Sequence, residues 1–423
     1  AIHGNLPQGF HLTNTLIHLF SGWALYGFLM ALINSPVLHK QKTSLTWLPL
    51  IASLIFVLHP LQTQAVTYIV QRLASLTGMF YISSMALYAW ARILTHKASA
   101  QRWLFLFSLS CAILAIFTKQ NALTLPAAIL LIELLFFQQL ASRHVWRLFI
   151  TSMIAAAILI TLVNIDPVNQ WTRESPVISR PDYFATQVLV LWRYVGLFLV
   201  PANQRLEYDV ALQTEWFDPV VILALILHIS LILVAFRFWR KLPLLCFGIL
   251  FFYLAHLVES GFIPISDFMF EHRTYLPNVG LSILAAAGLI SLLQAPALQP
   301  AVLIGTPIII VIASALTFER NQLWAKPIEF LKAETQLSPN KERVWTSLGK
   351  EMMRRNQLKE ASVAFSNALT LATIEDGMEV RPATLMNAIL LHHYLGEFDD
   401  AFELQRLLPL DSISAIERSK LHE

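Results

Sequence analysis

Residues 219–241 read PVVILALILHISLILVAFRFWRK, an uncharged run over 219–236 that ends at Arg237, Arg240 and Lys241. About 20 apolar residues in a helix cross the roughly 30 Å hydrocarbon core of a bilayer. Lys and Arg collect in the short cytoplasmic loops that flank such helices. The stretch therefore predicts a membrane-spanning helix whose carboxyl end lies on the cytoplasmic side.

Ten further segments of the chain are apolar over a comparable length. The eleven segments are 11–33, 45–58, 73–94, 103–118, 122–140, 145–163, 183–200, 219–236, 243–258, 276–293 and 301–318. We expect an all-α polytopic bundle of about ten crossings, in which segment 183–200 is re-entrant or interfacial and both chain ends lie outside.

The loop charges give this topology. One set of loops is basic and holds Lys40, Lys42, Arg92, Lys97, Arg102, Arg143, Arg147, Arg237, Arg240 and Lys241. The opposite set is acidic and holds Asp166, Glu174, Asp182, Glu207, Asp209, Glu215, Asp218, Glu259, Asp267 and Glu271. The basic and acidic loops lie on opposite sides of the membrane only if segment 183–200 does not cross it. A chain that starts outside also predicts at least one helix before Ala1, or else a cleaved signal peptide.

Charge is low overall and uneven along the chain. Only 13% of residues are charged, against about 25% in soluble proteins. Residues 1–318 hold 28 of the 57 charged residues and residues 319–423 hold 29. We therefore expect a membrane domain over 1–318, with the bilayer as partner, and a soluble domain over 319–423. An ordinary cytoplasmic enzyme and a disulfide-stapled domain are excluded, and the net charge of +3 is too small to indicate a nucleic-acid partner.

The soluble tail carries the spacing of tetratricopeptide repeats. Trp345, Leu348 and Gly349 match W-x2-L-G, and Ala361 and Phe365 match A-x3-F. Residues 357–361 recur as 397–401, at an offset of 40. Stacked helical hairpins form a concave surface. The tail is either a groove for a peptide partner or a short cap that packs on the membrane domain, and the sequence does not decide between them.

Polar motifs are concentrated on the outer side. They are His11-x-x-Asn14-x-x-x-His18, His59-Pro60 through Gln71-Arg72, Thr118-Lys119-Gln120-Asn121, Tyr183 through Gln187 with Arg193-Tyr194, and Phe270-Glu271-His272-Arg273-Thr274-Tyr275-Leu276-Pro277. Ionisable side chains at membrane depth are costly and mostly functional. These motifs are therefore the places to look for a site.

Three cations stand in these motifs, namely Arg72, Lys119 and Arg273. A guanidinium fork and an ammonium both suit phosphate oxygens, which predicts a site for a phosphate on a lipid tail. The alternative is that each cation snorkels to the headgroups. The alternative for His59 is that its side chain caps a helix end. Glu133 lies inside an apolar helix and is expected to be either neutral or paired.

The five motifs in this order, followed by the repeat-like tail, resemble the membrane O-mannosyltransferases with tetratricopeptide repeats, and more closely their bacterial relatives. The resemblance covers nearly the whole chain. It implies a C-type glycosyltransferase fold and a sugar donor carried on polyprenyl phosphate, with no certain cofactor. In eukaryotic members the acceptor is a Ser or Thr hydroxyl of a protein, and transfer occurs on the non-cytoplasmic side.

Roles follow from the resemblance. The donor phosphate would be bound by Arg72, Lys119 and Arg273. The supporting residues would be His59, Glu271 and His272, and the acceptor or groove residues His11, Asn14, Gln187 and Tyr275. The general base is expected in an outer loop before Ala1. Members often carry Glu where this chain has Gln64 and Gln120, which puts full activity in doubt.

The alternative function is a catalytically inactive, glycosyltransferase-derived scaffold whose repeats recruit a partner. A carrier-lipid ligase or polymerase is a second rival. We expect the bacterial inner membrane with the repeats in the periplasm, the alternative being the endoplasmic reticulum membrane. The outer acids show no ligand spacing, so no metal site is predicted.

Overall fold

A computed structural model describes residues 7–137, 175, 177–261, 263–374 and 382–408. Within these ranges the chain forms sixteen α-helices and no β-strand. The all-α prediction is thus confirmed for the described part of the chain. The predicted segment 145–163 lies outside the described residues.

The helices are numbered in chain order. The first eleven are α1 (Pro7–Ile33), α2 (Leu48–Leu58), α3 (Thr63–Thr67), α4 (Arg72–Ile93), α5 (Ala98–Thr118), α6 (Leu125–Ile132), α7 (Arg180–Leu199), α8 (Pro219–Phe238), α9 (Pro243–His256), α10 (Pro277–Leu293) and α11 (Gln299–Trp324). The last five are α12 (Pro327–Leu337), α13 (Glu342–Arg354), α14 (Leu358–Ile374), α15 (Pro382–Leu395) and α16 (Phe398–Arg406). Short 3₁₀ turns include Pro60–Gln62, Gln120–Thr124 and Glu271–Thr274, and Glu133–Phe137 is a π-helical turn.

Five helical stretches of the described chain are long and apolar enough to cross a membrane. They are α1, α5, Gln120–Phe137, α8 and α11. A sixth is the pair Leu48–Leu58 and Pro60–Thr67, which bends by 54°. The helices α9 and α10 are apolar but shorter. These helices make the chain a membrane protein, and the count of ten crossings stays a prediction.

Three spans expose their apolar side chains. Only 6% of the apolar window of α11 is buried, 11% of that of α5 and 22% of that of α8. Exposed side chains include Leu303 and Ile304 on α11 and Phe107 on α5. Apolar patches of this extent are rare on proteins in water. In a bilayer the same faces are solvated by lipid tails.

The inner helices approach each other through small residues. A Cβ at Gly280 would lie 2.5 Å from the carbonyl oxygen of Gly248, so α9 and α10 touch backbone to backbone. Close approach through glycine is characteristic of packed membrane helices, which have little hydrophobic drive between them. Phe28, Phe247 and Phe251 fill the adjoining core.

The chain divides into two compact units. The first comprises Ala1–Gln204 and Ala211–Arg320, and the second comprises Arg205–Val210 and Asn321–Glu423. The predicted boundary at 318/319 lies two residues before the break after Arg320. The short segment Arg205–Val210 follows α7 in the chain but belongs to the second unit.

Hydrogen bonds hold this segment in the second unit. The backbone N–H of Leu206 donates to Glu334 (2.7 Å), and Arg343 contacts the carboxylate of Glu207 at 2.8 Å. Asn340 donates to Asp209 at 2.6 Å. The acidic residues 207 and 209 therefore lie on the same side of the membrane as α12 and α13.

Helical hairpins build the second unit. Gly349 of α13 faces the ring of Phe365 on α14, and a Cβ there would lie 3.0 Å from three ring atoms. Ala361 and Ala364 of α14 and Ala388 of α15 are buried in the same core cluster. Small residues, including Gly349 and Ala361 at the repeat positions, thus let these helices pack closely. Assignment as tetratricopeptide repeats stays a prediction.

Candidate functional site

Arg72 is held at the start of α4 by polar atoms of α1. Its Nε donates to Oδ1 of Asn14 (2.5 Å), its Nη2 donates to the carbonyl of Phe10 (3.3 Å), and the guanidinium lies over the Phe10 ring. Asn14 also donates to the carbonyl of Val66 (2.9 Å). Of the two predicted acceptor or groove residues on α1, Asn14 is therefore buried and His11 is exposed.

Tyr275 lies against α1 and α4. Its hydroxyl contacts Nδ1 of His18 at 2.8 Å, and Nε2 of His18 contacts the carbonyl of Val57 at 3.0 Å. Gly78 on α4 makes room for the ring, because a Cβ there would lie 2.6 Å from a Tyr275 carbon. Tyr275 is fully buried. Its contacts fix the turn that precedes α10.

His59 stands at the bend between α2 and the Pro60–Gln62 turn. Its Nδ1 accepts from the backbone N–H of Leu61 (3.2 Å), and its Nε2 contacts the carbonyl of Phe198 (2.8 Å). The imidazole also stacks on the Phe198 ring at 4.6 Å. Both ring nitrogens are thus engaged by backbone, which favours the capping alternative.

Glu271 and His272 are held by separate partners. Arg320 contacts the Glu271 carboxylate at 3.0 Å and donates to the carbonyl of Gln204, whose amide also bonds Glu271. Gln64 accepts from the backbone N–H of His272 (2.7 Å) and contacts its Nδ1 (3.0 Å). These contacts position the Glu271–Thr274 turn. Gln64, which stands where the resemblance predicts Glu, therefore helps to hold this turn.

Arg273 is a buried cation in contact with a backbone carbonyl and an aromatic ring. Its Nη1 donates to the carbonyl of Phe268 at 3.4 Å, and the guanidinium lies over the Phe270 ring. Burial lowers the pKa of Arg273, but the charges and hydroxyls around it, including Tyr183 and Tyr194, raise that pKa above its ordinary value. The guanidinium therefore remains charged inside the protein.

Lys119 is paired with a carboxylate. Its Nζ lies 2.5 Å from Oε1 of Glu259, and Asn121 donates to the other oxygen at 3.4 Å. Tyr183 donates to the backbone carbonyl of Glu259 (2.8 Å), which ties the loop after α9 to α7. The pairing joins residues that are 140 positions apart in the sequence, and Glu259 was not among the predicted site residues.

Several buried polar atoms near Arg273 and Glu259 have no hydrogen-bond partner among the residues that the structure describes. They are both ring nitrogens of His256, Oε1 of Gln187, Oγ of Ser260, Oδ1 of Asn121, Oγ1 of Thr63 and the amide of Gln62. Buried polar groups are almost always bonded, to protein, water or ligand. A concentration of such atoms beside two cations is characteristic of a polar binding site.

Contacts connect these atoms into one region of the first unit. The ring of His256 stacks on Tyr194 at 5.1 Å, and the Tyr194 hydroxyl bonds the backbone of Phe270. Gln187 donates to the same Phe268 carbonyl that Arg273 contacts. The Pro60–Gln62 turn packs against Glu271–Thr274. We call this region, from Gln62 and Lys119 to Arg273, the outer polar cluster.

The sequence motifs missed His256, Glu259 and Arg320 as members of the site or its support. Glu259 follows an apolar helix on the acidic side, which is the one local signal available for it. His256 lies at the last residue of α9 and its ring is buried. These residues belong to the site because of contacts with other helices and loops, which the sequence motifs do not show.

One group of side chains in the described chain has metal-ligating geometry. It consists of His392, Glu397 and Asp400 in the second unit. Nδ1 of His392 already bonds the Glu397 carboxylate at 2.7 Å. The group is at least partly exposed and lies at the turn between α15 and α16, where Gly396 adopts a φ of 77°.

The fold and the site define a polytopic helical membrane protein with a buried, cation-lined polar cluster. The chain is 22% identical, over 451 aligned positions, to the protein O-mannosyl-transferase Tmtc3 of Drosophila melanogaster, covering 91% of this chain and 48% of that protein. It is also 22% identical, over 379 positions, to the protein O-mannosyl-transferase F38B6.6 of Caenorhabditis elegans, covering 88% of this chain and 51% of that protein.

The chain thus spans about half the length of these curated relatives. No protein-family profile matches it, and no solved structure matches it. The distant relatives support the family resemblance drawn from the motifs. A bacterial origin stays a prediction.

Proposed function

We propose that the protein is a membrane O-glycosyltransferase that moves a sugar from a polyprenyl-phosphate carrier to a Ser or Thr hydroxyl of a protein on the non-cytoplasmic side. The observation that carries the proposal is the buried Arg273, a cation that lies near atoms of Gln187 and His256 without hydrogen-bond partners among the described residues. The names of the two relatives supply the reaction class.

Arg273 is suited to the leaving phosphate. A preorganised guanidinium in a site shielded from water stabilises negative charge as it develops in the transition state. Lys119 is the second cation of the outer polar cluster, and Arg72 is held at the start of α4 by Asn14 and Phe10. Arg72 has no carboxylate partner among the described residues, so its charge is available to an anionic ligand.

An apolar groove supports a polyprenyl carrier. A cavity of about 530 Å³ is lined by apolar side chains of α2, α7, α10 and α11, including Ile55, Phe198 and Leu284. His59 and Pro60 also line it. The Pro60–Gln62 turn packs against Glu271–Thr274. A lipid tail in this groove would therefore end beside Arg273.

The second unit would meet the acceptor or a partner protein. Its segment Arg205–Val210 carries two acids of the outer loops, and this supports an extracytoplasmic position for its hairpins. A peptide groove and a packing cap remain the two candidate roles.

A transfer assay tests the proposal. The purified protein in lipid nanodiscs would receive a polyprenyl-phosphate-linked mannose and a Ser/Thr-rich peptide. We expect the sugar on the peptide for the wild-type protein and for Arg240→Ala, an exposed cation of the basic loops. We expect Arg273→Ala to lose about 10²-fold or more, the usual cost of one electrostatic donor. Equal activity of the two variants would contradict the assignment.

The alternative is an inactive scaffold derived from such an enzyme. It is favoured by the ion pairs that already neutralise Lys119 and Glu271 at rest. A scaffold would give no transfer with any donor, yet its second unit would still bind a partner.

A further inference from the structure

We infer that His392, Glu397 and Asp400 of the second unit bind one divalent metal ion, and that Zn²⁺ is the ion that suits them best. One nitrogen or oxygen atom of each side chain lies within 4.8 Å of the other two. Zn²⁺ in proteins is bound by imidazole nitrogens and carboxylate oxygens, often by three side chains and a water molecule. The site lies at the turn between α15 and α16, and its occupancy does not depend on sugar transfer.

The three ligand atoms are spaced for a small ion. Zn–N and Zn–O bonds of about 2.0–2.2 Å place the ligand atoms of a tetrahedral site about 3.3–3.6 Å apart. Nδ1 of His392 and the Glu397 carboxylate lie 2.7 Å apart, and the Asp400 carboxylate lies within 4.8 Å of both. Because Asp400 is exposed, rotation of its side chain brings an oxygen to the ion without a change in the backbone.

The contact between His392 and Glu397 is one that an ion replaces. An imidazole nitrogen that lies 2.7 Å from a carboxylate oxygen shares a proton with it. Metal ligands are deprotonated, so the ion takes the place of this proton and the ring proton lies on the other nitrogen. The two side chains therefore need only a small outward movement to become ligands.

The backbone of the turn holds the ligands in register. The N–H of Glu397 donates to the carbonyl of His392 at 2.9 Å, and Gly396 has a φ of 77°, which a glycine at the carboxyl end of a helix adopts readily. The N–H of Ala401 then donates to the carbonyl of Glu397 at 3.2 Å. Asp400 therefore lies in the first turn of α16, next to the end of α15.

The local charge attracts a cation. Four carboxylates lie between positions 397 and 403, and no Lys or Arg occurs in the sequence from 382 to 405. The carboxyl end of α15 adds the partial negative charge of a helix end. A divalent ion would neutralise part of this charge.

A cavity of about 430 Å³ gives access to the ion. It is lined by His392, Asp400 and Glu403, together with apolar side chains that include Phe365 and Leu391. Three protein ligands leave the fourth position of a tetrahedral ion open. Water from this cavity would fill that position.

The ion would fasten α16 to α15. The helix α16 has nine residues, and Ala401 is the one residue of this helix that is fully buried. Helices of this length are marginal without tertiary packing. A ligand from α15, one from the turn and one from α16 make a cross-link that restrains the short helix.

A zinc titration tests the inference. The full chain, purified in detergent without a histidine tag and stripped with EDTA, would be titrated with ZnCl₂ and followed by native mass spectrometry. We expect His392→Ala and Asp400→Asn each to weaken the tightest Zn²⁺ site by at least about tenfold, since even the outer partners of metal ligands contribute this much. An equal concentration of Mg²⁺ should not displace the Zn²⁺, because Mg²⁺ prefers oxygen ligands in octahedral geometry.

The neighbouring histidine provides the matched control. His393 contacts the carbonyl of Ile389 in its own helix at 3.2 Å, so His393→Ala should bind Zn²⁺ as the wild-type protein does. Hydrogen exchange should also show that Zn²⁺ slows the amides of α16 in the wild-type protein and His393→Ala, but not in His392→Ala. Equal affinity of the wild-type protein and His392→Ala, an equal loss in His393→Ala, or displacement by Mg²⁺ would overturn the inference. Neither measurement uses transfer activity, so a failure here leaves the proposed function intact.

Discussion

Arg92 and Glu133 form one buried ion pair of the first unit, and Lys119 and Glu259 form another, each with a shortest N–O distance of 2.5 Å. The Glu133 carboxylate receives two nitrogens of Arg92 and the hydroxyl of Tyr88. The Glu259 carboxylate receives Lys119 and a distant amide, near buried polar atoms that lack partners within the described part of the chain.

The comparison distinguishes an ion pair that stabilises the fold from an ion pair that lies beside a candidate binding site. A buried pair whose oxygens are all bonded locks α4 to the π-helical turn Glu133–Phe137. A buried pair beside unpartnered polar atoms lies in an environment suited to a polar ligand. Ion pairing alone does not distinguish the two, whereas the completeness of hydrogen bonding around the pair does.

The largest expected effect comes from breaking the complete pair. Glu133→Ala leaves the Arg92 guanidinium buried without its carboxylate, and loss of one partner of a buried pair costs about 3–5 kcal/mol. Denaturant unfolding in detergent, followed by helical circular dichroism, measures it. Lys119→Ala should cost less, because Glu259 keeps Asn121 and gains access to water. The reverse order would contradict the distinction.

This contrast also shows what the sequence could and could not predict. The apolar run 219–236 became α8 (Pro219–Phe238), and the run 301–318 lies within α11, because length and hydropathy are local properties. Of the two alternatives for Glu133, neutral or paired, the structure shows the paired one, with Arg92 as the partner. The partner of Lys119 depends on the packing of α9 against the Gln120–Thr124 turn, which no local pattern encodes.

The site residues could likewise be predicted only where the signal is local in the sequence. Motif density led to Arg273, which the structure places in the outer polar cluster. The motif that contains His11 and Asn14 predicted both as acceptor or groove residues, but a sequence motif does not show which side chains are buried, and His11 is exposed. His256 ends an otherwise apolar helix, and its place beside the Tyr194 ring and the charge of Arg273 depends on contacts with other parts of the chain.

A smaller effect is expected from Tyr88→Phe in the complete pair. The change removes a 2.8 Å hydrogen bond to the Glu133 carboxylate and leaves both Arg92 contacts. Hydrogen bonds to charged groups contribute about 1.5–3 kcal/mol, and we expect the lower end because Glu133 keeps its other partners. Unfolding free energies would measure it, with Tyr394→Phe, an exposed tyrosine, as the control. Equal stability of the two variants would show that the Tyr88 bond contributes nothing.

The smallest effect on stability should have the opposite sign. His256→Phe keeps an aromatic ring against Tyr194 and removes two buried nitrogens that lack partners. Leaving such groups unbonded costs about 1–3 kcal/mol, so the variant should be more stable by about 1 kcal/mol while transfer activity falls. A variant that loses stability and keeps its activity would show that His256 serves the fold alone.

The most direct test of the central claim is the affinity for the carrier itself. Native mass spectrometry of the protein in detergent would titrate polyprenyl phosphate against the wild-type protein, Arg273→Ala, Lys119→Gln and Glu133→Gln. The account predicts equal affinity for the wild-type protein and Glu133→Gln, and at least about tenfold weaker binding for the other two, the loss of one charge-assisted contact. Four equal affinities would contradict the claim that the outer polar cluster binds the donor phosphate.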